Sequence, residues 1–325
     1  MSFQTIPGQE TAKRILQSGL RQDRISHAYI FSGPVGTGRK QTARMLAKAI
    51  YCTNLKDDAC GECLECRKVE HGNHPDLYQI EPDGASIKID QIRELQKQFA
   101  YRSAGSGTKI YILNQAEKMT VQAANSLLKF LEEPNSKVVA VLVTENGHAL
   151  LPTIQSRSQW ISFTPMPRAE MARVLLEEGH PAALVQPAIH LTAGIQAAKE
   201  MIQTNGFAEI RSTMIQLLRE TLTRYPSSFV TLQQKWIKAG LADHTALLFD
   251  LMILWLKDMV SLRIGRKENF VYIDQMDWMG PLSFKRETEE WVRLLARAVE
   301  LQKRLRFNAN PQLVVEKMLV DIQGV

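Results

Sequence analysis

HAYIFSGPVGTGRKQTARMLAKAIY, residues 27–51, decides the fold. The apolar run HAYIF reads as a buried strand, GPVGTGRKQT (33–42) as a glycine-rich loop, and RKQTARMLAKAIY (39–51) as a helix with Ala43, Leu46, Ala47 and Ile50 on one face. Strand, glycine loop and helix in that order form the context of a phosphate-binding loop. Gly33, Gly36 and Gly38 would let backbone N–H groups converge on an anion at the helix N-terminus. Working outward, DLYQIEP (76–82), KIYILNQ (109–115) and VVAVLVTEN (138–146) read as further buried strands. DQIRELQKQFAY (90–101) reads as a helix whose apolar face is Ile92, Leu95 and Phe99, behind an N-capping Asp90. Strands separated by helices predict a parallel sheet covered on both faces.

The loop has the wrong side chains for hydrolysis. A working phosphate loop needs a lysine on the terminal phosphates, followed by a serine or threonine on magnesium. Here those positions are Arg39 and Lys40. A forked guanidinium does not replace a compact ammonium, and Lys40 puts a cation where the metal would sit. A register shifted to Lys40 and Thr42 is opposed by Gly38, which fixes the turn. The strand KIYIL, expected to end in carboxylates, ends in Asn114 and Gln115, which hold magnesium poorly and cannot act as a base. Glu117 would leave the strand end in another direction and reads as a solvated helix-start residue. ATP with magnesium is therefore not expected to bind productively. The alternative is an active ATPase that uses Arg39 or Lys40 in an altered loop.

All four cysteines lie between Cys52 and Cys66. Cys60, Cys63 and Cys66 fall in one CGECLEC turn, and Cys52 closes a tetrahedron from the preceding helix end, the pattern of a structural zinc site. Four protein ligands leave no open position for water, so a catalytic metal is not expected. His71 and His74 are nearby alternative ligands, or ordinary loop residues.

The 325 residues are 45% hydrophobic, with 40 Lys plus Arg against 34 Asp plus Glu, a net +6 that favours an anionic partner without proving one. No run is long and apolar enough to span a membrane, and MSFQTIPGQE is not built as a secretory signal, so a cytoplasmic protein is expected. After Pro165 short helical patterns end in glycine. From Phe207 nearly everything is amphipathic helix, including HTALLFDLMILWLKDMVSL (244–262), where Asp250, Lys257 and Asp258 argue for a bundle helix. The expected organisation is residues 1–165 as an α/β unit carrying the cysteine module (52–66), 166–207 as a small helical domain, and 208–325 as a second helical domain.

GPVGTGRK, the cysteine module, NSLLKFLEEP (125–134) and TIQSRS (153–158) together resemble the clamp-loader subunits of bacterial DNA polymerase III, an AAA+ family. The resemblance covers the whole chain. It implies an α/β P-loop NTPase-like (AAA+) domain with a parallel sheet, then an all-α lid and an all-α C-terminal collar. The degraded loop and missing acidic pair resemble a non-hydrolysing member rather than the motor subunit. The family's Ser-Arg-Cys motif here reads Ser156, Arg157, Ser158, so only the arginine role carries over. That role is an arginine finger, a guanidinium reaching the ATP of a neighbouring motor subunit. On its own, Arg157 would read as a surface residue paired with a carboxylate.

Thr144 resembles the family's polar sensor on the fourth strand, with a plain strand-end hydroxyl as the alternative. Ala197 stands where its nucleotide-sensing arginine would be, so that function is lost. The resemblance implies a hetero-oligomer with the motor (tau/gamma) and delta subunits, acting on the sliding clamp and primer-template DNA through the assembly. It implies no membrane, and nucleotide addition by a different subunit of the holoenzyme. NPQLVVEKMLVDIQ (310–323) offers Leu313, Val314, Met318 and Leu319 either to partner helices or to the chain's own bundle core. Trp236, Trp255, Trp278 and Trp291 read as packing residues. Arg93, Lys97, Arg102 and Lys109 read as a solvated helix face that could approach DNA. A standalone zinc-dependent nucleic-acid module would leave the phosphate loop and LLKFLEEP without purpose.

Overall fold

The computed structural model describes residues 2–100, 107–132, 137–204, 206–223, 225–266 and 268–324, without the side chains at 99, 100, 129, 130, 132 and 225. Arg102, the Phe99 side chain and the end of the LLKFLEEP motif therefore lie outside the described residues. The chain forms two compact units, Met1–Pro167 with Ala193–Gln196, and Arg168–Thr192 with Ala197–Val325.

The first unit is built on five parallel strands: β1 (Ala28–Ser32), β2 (Leu77–Ile80), β3 (Thr108–Asn114), β4 (Lys137–Thr144) and β5 (Gln159–Ser162), in the order β2-β3-β4-β1-β5. Its helices are α1 (Glu10–Arg21), α2 (Arg39–Tyr51), α3 (Leu64–Glu70), α4 (Ile89–Ala100), α5 (Val121–Glu132) and α6 (Pro152–Gln155). Alternate strand residues feed two cores. Tyr29, Phe31, Ile110, Ile112, Val141 and Val143 pack with α1 and α2, while Ile30, Tyr111, Leu113, Ala140 and Leu142 pack with α4 and α5. This doubly covered sheet is why the strands read as continuous apolar runs. β5 is the strand the sequence does not reveal, because QWIS is short and only Ile161 of its four residues is fully buried.

Two expectations need correction here. Helix α4 starts at Ile89, and the Lys88 N–H is held by the Gln91 side-chain oxygen at 3.0 Å. Asp90 thus sits inside the first turn, where a carboxylate still meets the positive helix end, and does not cap it. Lys109 is on no helix face: it lies in β3, 2% exposed, with Nζ donating to the Gln98 carbonyl at 3.3 Å. Arg93 and Lys97 do lie exposed on α4, beside Asp90 and Glu94.

Gly33, directly after β1, is demanded by the sheet. A Cβ there would sit 2.1 Å from the Phe163 carbonyl oxygen and 2.9 Å from the Phe163 Cβ. Gly33→Ala is expected to destabilise the first unit by about 3 kcal/mol, because neither atom can move without breaking the β1–β5 pairing. Urea unfolding checks this.

The second unit is helical: α7 (Arg168–Glu177), α8 (Ala182–Leu191), α9 (Ile195–Gln203, whose first two residues cluster with the first unit), α10 (Phe207–Thr223), α11 (Tyr225–Thr231), α12 (Thr245–Arg263), α13 (Met276–Ser283), α14 (Thr288–Leu305) and α15 (Pro311–Gln323). Helix α12 is apolar nearly all round because it is the bundle's centre: Leu248, Phe249, Leu251, Met252, Trp255, Leu256 and Met259 are fully buried. Trp255 lies 5.7 Å from Trp278 and 6.1 Å from Trp291, ring to ring. Among the described residues, no helix is long and apolar enough to cross a membrane. In α15, Val314, Met318 and Leu319 face the bundle core, whereas Leu313 is 62% exposed.

Asp258 in α12 is buried, and its Oδ2 accepts the Val271 and Tyr272 N–H groups at 2.9 and 2.8 Å. Burial pushes its carboxyl from 3.8 up to about 6. The native state then holds more protons than the unfolded chain between those values, so this group's contribution falls as pH rises through that window. Asp258→Asn, which keeps the acceptor and loses the charge, should gain roughly 2 kcal/mol relative to the parent between about pH 4 and about pH 7. Denaturant titrations at the two pH values measure it.

Candidate functional site

The glycine loop has the shape of a phosphate cradle. Gly36 and Gly38 are left-handed at φ 89° and 85°, and Gly38 is the residue from which α2 starts. The side chains around it are committed elsewhere. Thr42 is fully buried and donates its hydroxyl to the Gly38 carbonyl at 2.9 Å, closing its own helix turn. Lys40 Nζ reaches both Glu81 oxygens at 3.2 and 3.3 Å, and Asn114 Nδ2 donates to the same Glu81 at 2.8 Å. Arg39 is only 8% exposed; burial lowers its pKa, opposed by the nearby charges of Glu145 and Glu117. The loop's two cations thus face three glutamates of the same chain, where a phosphate loop faces phosphates.

Glu117 differs from the sequence reading. It is half-buried, its Oε1 accepts the Glu145 N–H at 3.5 Å, and its Oε2 is buried without a hydrogen-bond partner among the described residues, as is Asn114 Oδ1. A solvated helix-start glutamate would show neither. Gln115 stands beyond the strand end at φ 52°, in the left-handed region. Thr144 is fully buried at the end of β4, its hydroxyl accepting the Asn146 N–H at 3.2 Å and its carbonyl accepting the Gly33 N–H at 3.2 Å.

Residues 193–196 close over this loop. The Met166 N–H donates to the Ala193 carbonyl at 3.0 Å, and a Cβ on Gly194 would lie 2.2 Å from the Gly36 carbonyl oxygen. The space left between Ile6, Pro7, Gly36, Gly38, Met166 and Gly194 is about 10 Å³. Ligand pockets are typically about 300–1,000 Å³, so little open space remains between the loop and residues 193–196.

The structure brings the four cysteines together, with all sulfur atoms within 4.8 Å of one another. Backbone N–H groups point at them: Leu55 and Cys60 at Cys52 Sγ, Glu62 and Cys63 at Cys60 Sγ, and Cys66 at Cys63 Sγ, all at 3.3–3.4 Å. Such donors stabilise thiolates, the form a metal requires. Burial opposes ionisation of Cys63, yet N–H and thiol donors hold it down to about 6, while burial pushes Cys66 up to about 12. The chemistry of this donor set fits a closed four-sulfur zinc site.

Neither histidine belongs to the cluster. His74 stacks on Tyr51 at 3.7 Å, accepts the Asp76 N–H at Nδ1 and meets Glu65 through Nε2 at 3.0 Å, while His71 ends α3. Tyr51 in turn donates to the Asp76 carbonyl at 2.7 Å, so the cysteine loop is clipped to the start of β2.

Arg157 lies exposed just past α6, Nη1 donating to the Thr153 carbonyl at 3.1 Å and approaching Ser156 Oγ at 3.5 Å. Sequence reasoning missed Glu81 and Gly194. Glu81 carried one usable signal, its position at the carboxyl end of a parallel strand, where sites in such sheets lie.

The strand order, the glycine loop after β1 and the polar residues ending β3 and β4 define an AAA+-type P-loop unit, joined in this chain to a helical unit. Comparison with known proteins narrows this. A family profile described as DNA polymerase III, delta subunit, matches residues 8–167. DNA polymerase III subunit delta' of Bacillus subtilis is 34% identical over 316 residues, 97% of this chain and 96% of that protein. The subunit of the same name from Pseudomonas aeruginosa is 30% identical over 315 residues, covering 91% of each. DNA polymerase III subunit tau of B. subtilis is 37% identical over 163 residues, 50% of this chain and 29% of that protein. The chain belongs to the delta' family of DNA polymerase III subunits and is related to the tau and gamma subunits of the clamp loader.

Proposed function

We propose that this chain is a non-hydrolysing clamp-loader subunit that lends Arg157 in trans to ATP held by a neighbouring motor subunit. The observation that carries the reading is the shared carboxylate of Glu81, which occupies Lys40 and Asn114 together. The side chain at the magnesium position and the side chain at the strand end are thereby tied to each other instead of to a metal and its water. Arg157 is exposed, and its Nη1 donates to the Thr153 carbonyl at 3.1 Å. A guanidinium so placed can neutralise charge developing on a transferring phosphoryl group across an interface.

In this role residues 166–207 serve as the lid and 208–325 as the collar of a hetero-oligomer with motor and delta subunits, which places the sliding clamp on primer-template DNA in the cytoplasm. Cys52, Cys60, Cys63 and Cys66 hold a structural zinc ion that ties the loop after α2 to the sheet. The group supplies cross-linking, not catalysis.

The test is ATP binding and turnover by the purified chain alone and after mixing with motor and delta subunits. The expected result is neither binding nor turnover at the loop alone, and Arg157-dependent turnover in the mixture. An active ATPase is the second reading, favoured by the unpartnered Glu117 Oε2 near Arg39. Turnover by the chain alone, lost in Glu117→Gln, would establish that reading instead.

A further inference from the structure

The helical unit contains a cavity of about 650 Å³ with no part in the function above. Its wall draws Arg168 from the start of α7, His190 from the end of α8, Lys257 from α12 and Arg266 from the following loop. Among the described residues, Arg168, Lys257 and Arg266 make no ion pair. Of the two carboxylates in the wall, Asp258 commits Oδ2 to the Val271 and Tyr272 N–H groups, and Glu268 lies exposed on the loop. Three exposed cations lining one cavity, none of them paired with a carboxylate among the described residues, leave their positive charge available to an anion that enters it.

His190 supports the same conclusion. Its Nδ1–H donates to the Gln186 carbonyl at 2.8 Å, which orients the ring. Burial lowers its pKa, and the charges of Arg168 and Lys257 lower it further, so the ring reports directly on charge arriving in the cavity. A second cavity of about 420 Å³ shares Arg168, His190 and Asn269 with the first. Its other walls are mainly apolar, with Phe270, Met276 and an Ile273 that is 60% exposed. A cationic cavity and a mainly apolar one with an aromatic ring, lined in part by the same three residues, match the two halves of a nucleotide.

We propose that the two cavities form one binding site for a nucleoside 5′-triphosphate, with its phosphates on Arg168, Lys257 and Arg266 and its base against Phe270 and Ile273. The site lies entirely within the helical unit and is independent of the glycine loop.

Calorimetric titration of the full chain with ATP, adenosine and inorganic tripolyphosphate tests it, using a Lys257→Gln/Arg266→Gln variant and an Arg39→Gln/Lys40→Gln variant. ATP binding is expected to weaken at least about tenfold in the first variant, for two lost phosphate contacts, and to be unchanged in the second. The NMR titration of the His190 ring should move to higher pH when ATP is present in the parent. Absence of ATP binding, or equal binding by the first variant, overturns the site. Tripolyphosphate binding as tightly as ATP overturns the assignment of the apolar chamber to a base. Loss of binding in the Arg39/Lys40 variant alone would overturn both this site and the reading of the glycine loop as non-binding, which separates the two failures.

Discussion

Arg157→Ala is expected to leave the isolated chain as stable as the parent while ATP turnover at the neighbouring site of a reconstituted clamp loader falls by about 10³-fold or more. The first half follows from exposure: Arg157 lies on the surface. Such surface substitutions usually stay within about 0.5 kcal/mol. The second half follows from the worth of a guanidinium aimed at a phosphoryl group in transfer, about 10³–10⁵ in turnover. Arg157→Lys should not rescue it, because a single ammonium lacks the planar fork that meets two phosphate oxygens. DNA-stimulated ATPase and clamp loading are the measurements, with urea unfolding of each variant as the control. Undiminished turnover in Arg157→Ala would leave the residue a surface arginine and remove the trans role.

The second large effect concerns the cysteines. Metal analysis should find about one zinc ion per chain. Its removal by a strong chelator, or Cys60→Ser, should cost about 4 kcal/mol or more, the scale of a lost structural metal. For units of this size that is a fall in melting temperature of about 10 °C. The expectation is large because the cluster is no surface appendage: Cys66 is fully buried in the same core as Ala47, Tyr51 and Val69, and Cys52, Cys60 and Cys63 pack against that core. Without a metal, sulfur atoms held within 4.8 Å of one another would have nothing to balance their thiolates. A metal-free chain with unchanged melting would reduce the cluster to four packed thiols.

The elements that were legible in the sequence are those written in local spacing. The glycine loop shows in Gly33, Gly36 and Gly38 between a strand and a helix, and the cysteine cluster in its compact turn. Helix α12 declares itself a bundle core rather than a membrane span through Asp250, Lys257 and Asp258. What was not legible depends on residues that meet only in the fold. Glu81 lies 41 positions from Lys40, and nothing in QIEP says that its carboxylate will be shared with Asn114. Gly194 reads as a helix stop, yet its close approach to the Gly36 carbonyl gives it a second duty. Lys109 misleads in the opposite sense. A lysine beside an apolar run suggests a solvated face, but its long stem runs within the fold to a backbone acceptor on α4. Glu117 misleads through its expected direction, which a short helical turn after β3 alters.

An ordinary phosphate loop is an anion trap whose positive charge its ligand must complete, so its order follows the supply of nucleotide. Here Glu81 gives Lys40 a counter-ion from the same chain, and Asn114 donates to the same carboxylate. A loop balanced from within has no reason to respond to the cell's ratio of ATP to ADP. The shape of this loop is then set by the chain's own charges, whatever the supply of nucleotide around it.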